Sequence, residues 1–385
     1  MMNNELNLFM FITNIAIAVL IGALLPILPV LTRKSFLFGV KIPLEQSGSP
    51  EAKKLKKNYI ITCLTGTAVI FALIIAQFII IPDLTLLSVL YFPLLFVAVQ
   101  MAGFIPNWKK ALKLKEEKEW TVTESVFAET KSSHSRGNLS DLPWFWYIAS
   151  LIIIFITVVI ALVKYPELPD KIPTHFDINM QPDAWSDKNL FNLMLMPLIN
   201  FATLALMWFV GFIFVKAKLQ IDPQNPELSF AQHRIYRRRM GHSCGILALG
   251  MVAGMGYIGL MSIFPDLFMP FWLMLSIFLI PCIPVIVVPV ISGQGGCKIK
   301  PKSISIDKNP NPSIINKTTG RGDDKYWLLG MFYCNPDDPA VMVEDRFGSN
   351  IGFNYSRLPE KIVAALGLLA LVAMYVGFTV LFCSL

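Results

Sequence analysis

The apolar residues of this chain follow neither strand-like alternation nor a narrow helical stripe. They come in long unbroken runs, each ended abruptly by charge, proline or turn residues. A bilayer core about 30 Å thick is crossed by roughly 20 helical residues. Runs of that length recur at residues 6–31, 59–81, 84–105, 144–163, 190–215, 243–264, 269–291 and 362–383. Lipid offers peptide groups no hydrogen-bond partner, so such runs close their backbones as helices. The pattern predicts an all-α membrane protein with about eight transmembrane helices. No Lys or Arg precedes the first run and no small-residue cleavage site follows it, so it is expected to stay as a helix.

The polar segments set the expected organisation. Residues 1–105 carry helices one to three, and 106–143 a linker. Residues 144–215 carry helices four and five around a loop at 164–189. A basic loop at 216–242 precedes helices six and seven at 243–291. A long segment at 292–361 then leads to the last helix at 362–385. The charged stretch from Trp108 to Trp120 is rich in helix formers and should prolong helix three before fading into a connector around His134. Within 292–361, a Pro/Asn/Ser-rich half gives way to a small module at 323–358. There 340–344 and 351–355 read as strands around a turn, a β-hairpin too small to stand without a partner surface.

Composition agrees with the pattern, since 55% of the residues are hydrophobic and 15% charged. Charge adds an orientation. Of the 33 Lys and Arg, seven lie in 33–57, seven in 109–136, six in 216–239 and ten in 298–361. The other three, Lys164, Lys171 and Lys188, share the 164–189 loop with five acids. Basic loops resist translocation, so this loop and both chain ends are expected outside the cytoplasm and the basic segments inside. The net charge of +7 is then a topology and anionic-lipid signal, not a nucleic-acid footprint. The densest clusters are Lys53-Lys-Leu-Lys-Lys57 and Arg237-Arg-Arg239, read chiefly as membrane anchoring and otherwise as lipid or protein docking.

Candidate chemistry is sparse. The six cysteines follow no pairing or metal-ligand spacing. His175 beside Asp177, Asp183 and Asp187 could offer metal ligands, but one imidazole falls short of a zinc set, and a structural or recognition role is expected. Asp323-Asp324 and Asp337-Asp338 could bind a cation, yet beside Pro and Gly they read as turn and cap residues. Gly293-Gln-Gly-Gly-Cys-Lys298 lacks the Gly before Lys and the Ser or Thr after it that a phosphate loop requires. No hydrolase, zinc-protease or dinucleotide motif occurs, so neither an enzyme nor a cofactor is expected. No ionisable group lies well inside a run; Gln77, Gln100, Asn192 and Asn200 are the buried polar candidates, expected to bond between helices. Helix seven carries Pro270, Pro281, Pro284 and Pro289, expected to bend it.

The outside loop reads Leu168-Pro-Asp-Lys-Ile-Pro-Thr-His-Phe-Asp177 and then Gln181-Pro-Asp-Ala-Trp-Ser-Asp-Lys188. It resembles the signature of the bacterial membrane family that includes SdpI-type bacteriocin immunity proteins, through Pro169, Pro173, His175, Phe176, Asp177, Pro182, Asp183, Trp185 and Lys188. Met180 stands about where that family carries a glycine. A second module resembles one that accompanies the first in bacterial membrane proteins without an assigned role. Its residues are Asp323, Asp324, Tyr326, Trp327, Asn335, Pro336, Asp337, Asp338, Pro339, Arg346, Phe347 and Gly348.

The resemblance implies protection against, or sensing of, an external peptide toxin or envelope stress. It also implies, in some members, tethering of a cytoplasmic protein to the membrane. Two other readings stay open. A transporter of a neutral or apolar solute would join Gln100, Asn200 and the proline-rich helix in one polar cavity. A scaffold would recruit cytoplasmic partners through the 323–358 module.

Overall fold

The computed structural model describes residues 2–121, 142–177, 179–216, 226–264, 266–267, 269–301, 321–347, 351–356 and helical positions 361, 362, 365, 369, 372 and 376. The His134 connector, residues 302–317, Gly348 and most of the eighth apolar run lie outside them. The helices are α1 (Met2–Leu24), α2 (Leu28–Leu31), α3 (Pro50–Ile80), α4 (Thr85–Glu117), α5 (Trp144–Lys164), α6 (Leu190–Lys216), α7 (Pro226–Met261), α8 (Phe271–Leu279) and α9 (Cys282–Ser292). Four two-stranded antiparallel ribbons sit at helix ends: β1–β2 (Phe36–Leu37, Val40–Lys41), β3–β4 (Lys171–Phe176, Pro182–Asp187), β5–β6 (Trp327–Leu328, Phe332–Tyr333) and β7–β8 (Met342–Glu344, Ile351–Phe353). Among the described residues, seven helical segments are long and apolar enough to cross a membrane.

The chain divides into two compact units, one of residues 1–128 with 314–385 and one of residues 129–313. In the first, α1, α3 and α4 pack together. Asn14 Nδ2 on α1 donates to Ser88 Oγ on α4 at 2.5 Å, and the Tyr91 hydroxyl on α4 donates to Gln77 Oε1 on α3. Ser49 caps α3 by accepting from the Ala52 amide at 3.2 Å, with Pro50 in the first helical position. Helix α3 therefore starts nine residues before the apolar run. α4 reaches Glu117, as the helix-forming stretch after Trp108 predicts.

The module at 321–356 docks on the basic end of this bundle. Phe38 and Gly39 form the two-residue β1–β2 turn with φ of +49° and +78°, as an inverse hairpin turn demands. Gly39 lies against Gly330 in the β5–β6 turn, so closely that a Cβ on Gly39 would come within 2.1 Å of the Gly330 carbonyl oxygen. Phe347 is buried in an aromatic cluster, its ring centroid 4.6 Å from Phe104, 5.7 Å from Phe38 and 5.8 Å from Tyr59. The partner surface that the small hairpin requires is thus the β1–β2 turn and the ends of α3 and α4.

In the second unit, α7 is the central helix, packed against α5, α6, α8 and α9. Asn200 Nδ2 on α6 donates to the Val252 carbonyl on α7 at 3.0 Å. The bend predicted in helix seven is a break between α8 and α9 at Ile280 and Pro281, where Pro281 fits a notch left by Gly250; a Cβ on Gly250 would meet the proline ring at 2.2 Å. The Gly293–Gly296 stretch is a tight turn pressed on α7, with Gln232 Nε2 donating to the Ile299 carbonyl at 2.9 Å.

Two expectations need correction. The region read as a basic loop at 216–242 is helical from Pro226, and Arg237, Arg238 and Arg239 stand on α7. Hydropathy marks where a helix leaves lipid, not where it stops, and Glu, Leu, Gln, Arg and Met sustain helix in water. Of the four polar candidates, Asn192 caps the 187–189 turn by donating to the Asp187 carbonyl at 3.0 Å, and Gln100 makes no hydrogen bond among the described residues. Only Gln77 and Asn200 join helices as expected.

Removing the Phe347 ring leaves a cavity among three aromatic rings. Phe347→Ala is expected to destabilise docking by about 3–5 kcal/mol. Limited proteolysis in membranes checks this, with cleavage within 321–356 accelerated and the helical content unchanged.

Candidate functional site

The residues of the 164–189 motif converge on one ribbon, β3–β4. Pairing runs Lys171 with Asp187, Ile172 with Ser186, Pro173 with Trp185, His175 with Ala184 and Phe176 with Pro182, with a bulge around His175. At the tip, Asp177 Oδ1 accepts from the amides of Asn179 at 2.9 Å and Gln181 at 2.8 Å. At the base, Lys188 Nζ donates to the carbonyls of Leu168 at 2.7 Å and Pro166 at 3.2 Å and lies over the Tyr165 ring. Ile172 and Pro173 are buried, Ile172 against Leu168, Ala161, Leu193 and Ile263.

Met180, in the β3–β4 turn, adopts the left-handed backbone that favours glycine, φ +60°. That backbone costs roughly 1–2 kcal/mol for a residue with a Cβ. Its buried side chain joins Met261, Met274, Phe176, Tyr257 and Phe278, a burial that contributes about 1.5–3 kcal/mol. The turn survives without glycine because the methionine is anchored below it.

The motif residues therefore fall into two groups. Pro173, Asp177 and Lys188 hold the ribbon's shape, and half-buried Phe176 and Pro182 support it. His175, Asp183 and Trp185 stand exposed, as does Pro169 at the base, and Trp185 is 54% accessible. His175 Nδ1 and Asp183 Oδ1 are 2.5 Å apart, one hydrogen bond across the bulge. Among the described residues no group of three potential metal ligands converges.

The second motif builds a buried ionic network. Arg346 is fully buried; it pairs with Asp324, donates to the carbonyls of Gly39 at 3.0 Å and Arg321 at 2.7 Å, and lies between the rings of Phe36 and Trp327. Burial pulls its guanidinium down to about 10, against the pull of Asp324 in the other direction. Asp324 also accepts from Lys115 Nζ on α4 at 2.6 Å and from the Lys41 amide at 3.1 Å. Asp323 caps the turn through the Lys325 amide, and Tyr326 packs beneath the Lys325 ammonium.

The acid pairs split in role. Asp338 is buried, paired bidentately with Arg321 at 2.5 and 2.9 Å and accepting from the Tyr333 hydroxyl at 3.0 Å. Burial pushes its carboxyl up, but Arg321 outweighs that and holds it below the usual carboxylate range. Asp337, Pro336 and Pro339 are exposed, and the Asp337 amide donates to Asn335 Oδ1 at 3.0 Å. Asn335 is tied in turn to Asn354, whose Nδ2 donates to its carbonyl at 2.7 Å. These residues act as turns and caps.

Sequence reasoning missed Glu344 and Asp345. Glu344 accepts from Arg33 at 2.7 Å on both oxygens, across 311 residues of chain. Burial, then the Glu344 charge, push Asp345 up to about 7. Nothing in the local sequence signals either role, because both depend on partners brought by distant segments.

A family model described as a domain of unknown function, DUF1648, matches residues 152–201, which cover most of α5, the whole β3–β4 ribbon and the start of α6. No curated protein and no solved structure matches the chain.

Two outcomes follow from this geometry. Met180→Ala keeps the strained backbone and loses the packing, whereas Met180→Gly loses the packing and frees the backbone. Glycine is therefore expected to be the milder substitution by about 1 kcal/mol in thermal unfolding of the detergent-solubilised protein. Asp345 keeps in the folded state a proton that the unfolded chain releases near 3.9. Its contribution to docking is thus full at low pH and lost as pH rises through about 7. Asp345→Asn is expected to flatten the dependence of 321–356 protease protection between about pH 4 and 7.

Proposed function

We propose that this chain is a non-catalytic receptor or immunity protein of the SdpI-like class in the bacterial cytoplasmic membrane, with the β3–β4 ribbon facing outward to meet a peptide toxin or envelope-stress signal. The observation that carries the reading is the division of the motif. One set of side chains is consumed in fixing a rigid ribbon, and His175, Asp183 and Trp185 are left on its exposed surface. An accessible tryptophan beside a paired His and Asp is the make-up of a recognition patch, where an aromatic anchor and polar groups meet a partner.

The charge asymmetry supports the orientation, with 30 of the 33 basic residues in the other polar segments. On the same reading the module around Arg346 faces the cytoplasm.

Survival of a sensitive strain expressing the chain, challenged with a panel of secreted peptide toxins, tests the reading. Wild type is expected to protect, and His175→Ala and Trp185→Ala to lose at least about tenfold of that protection at equal membrane abundance, the loss of one anchoring contact. Protection by neither wild type nor variants, or full protection by both variants, sinks it.

A further inference from the structure

A cavity of about 490 Å³ opens at the basic end of the second unit, between α7 and α9. Its polar wall is Arg238, Arg239, His242 and Ser243, and its aliphatic wall is Ile235, Ile246 and Val288. Residues 235, 239, 242 and 246 follow helical spacing and form one stripe of α7, so from Arg238 onward the cavity runs from basic groups through imidazole and hydroxyl to aliphatic surface, with Ile235 one turn before the arginines. The change falls at Ser243, where the sequence turns from basic to apolar.

From this order we infer that the cavity binds an anionic phospholipid, its phosphate on Arg238, Arg239 and His242 and the first part of an acyl chain on Ile246 and Val288. Arg238 and Arg239 are exposed and have no carboxylate partner among the described residues; the one bond from Arg239 is to Ser292 Oγ at 3.5 Å. Two guanidinium groups on one turn of α7, both lining the cavity and without a carboxylate partner among the described residues, are the donors an anion would meet there. Trp146 Nε1 donates to His242 Nδ1 at 3.1 Å, so the neutral ring carries its proton on Nε2 as a further donor.

A free phosphate would use the donors and leave the aliphatic wall idle. A phospholipid uses both, and α9 continues the apolar surface with exposed Ile283, Val287 and Ile291. Basic pockets between helices at a membrane face are where anionic headgroups settle.

Native mass spectrometry of the full-length protein, released from nanodiscs of equal phosphatidylglycerol and phosphatidylcholine, reads the bound lipid. Wild type is expected to retain phosphatidylglycerol over phosphatidylcholine. Arg238→Gln/Arg239→Gln is expected to lose it about 25-fold, at roughly fivefold per basic group. Lys53→Gln/Lys54→Gln, with the same change in net charge, is expected to retain it within about twofold, and Ile246→Trp, which fills the cavity without altering charge, to lose it. Equal loss in the two double variants would mean general surface attraction and overturn the site. So would no preference over phosphatidylcholine, or complete displacement by inorganic phosphate, which would mark an aqueous anion site. Thermal unfolding equal to wild type establishes that the variants are folded.

Discussion

A peptide group in lipid finds no partner outside its own helix, and that constraint shapes the whole chain. Among the described residues, the extended backbone forms four short ribbons outside the long apolar helices. Two strands of two to six residues do not hold together by themselves in water. Two of the ribbons, and the turn after α9, are clasped by side chains that bond backbone carbonyls. Lys188 closes the base of β3–β4, Arg346 reaches the β1–β2 turn at Gly39, and Gln232 fixes the turn after α9.

Arg346 shows what such a clasp entails. Taking a guanidinium wholly out of water costs several kcal/mol, recovered only where its charge and donors are answered. Here an aspartate, two carbonyls and two aromatic faces, from segments at 36–39 and 321–327, answer its charge and its two terminal nitrogens. Asp324 is shared with Lys115 of α4, so the network binds module and helix together. A neutral substitute would fill the volume but leave the half-buried Asp324 with fewer donors.

The membrane helices were legible because lipid imposes a length and polarity that sequence states directly. Helix ends beyond the lipid were less so: α3 and α7 continue into charged sequence, where hydropathy is silent. The β7–β8 ribbon could be read from its turn residues, whereas β1–β2 and β5–β6, each two residues a side, are held by Gly39 against Gly330 and by Phe347, contacts between segments some 290 residues apart. In the 164–189 motif the residues were singled out by resemblance. Their division into scaffold and exposed patch was not, since it depends on register and burial. Met180 is instructive: its type argued against the glycine turn, and only the apolar cluster beneath explains why the turn stands.

The aromatic socket of Phe38, Tyr59 and Phe104 belongs to the first 104 residues, but the ring that fills it, Phe347, is made after five more helices. During synthesis the socket must wait, partly assembled, while the whole second unit enters the membrane. At roughly 5–20 residues per second, that interval lasts on the order of ten to fifty seconds. Completion of the first unit is thus a late event in biogenesis, and a ribosome halted before Arg346 leaves an open, aromatic-lined end for membrane quality control to recognise.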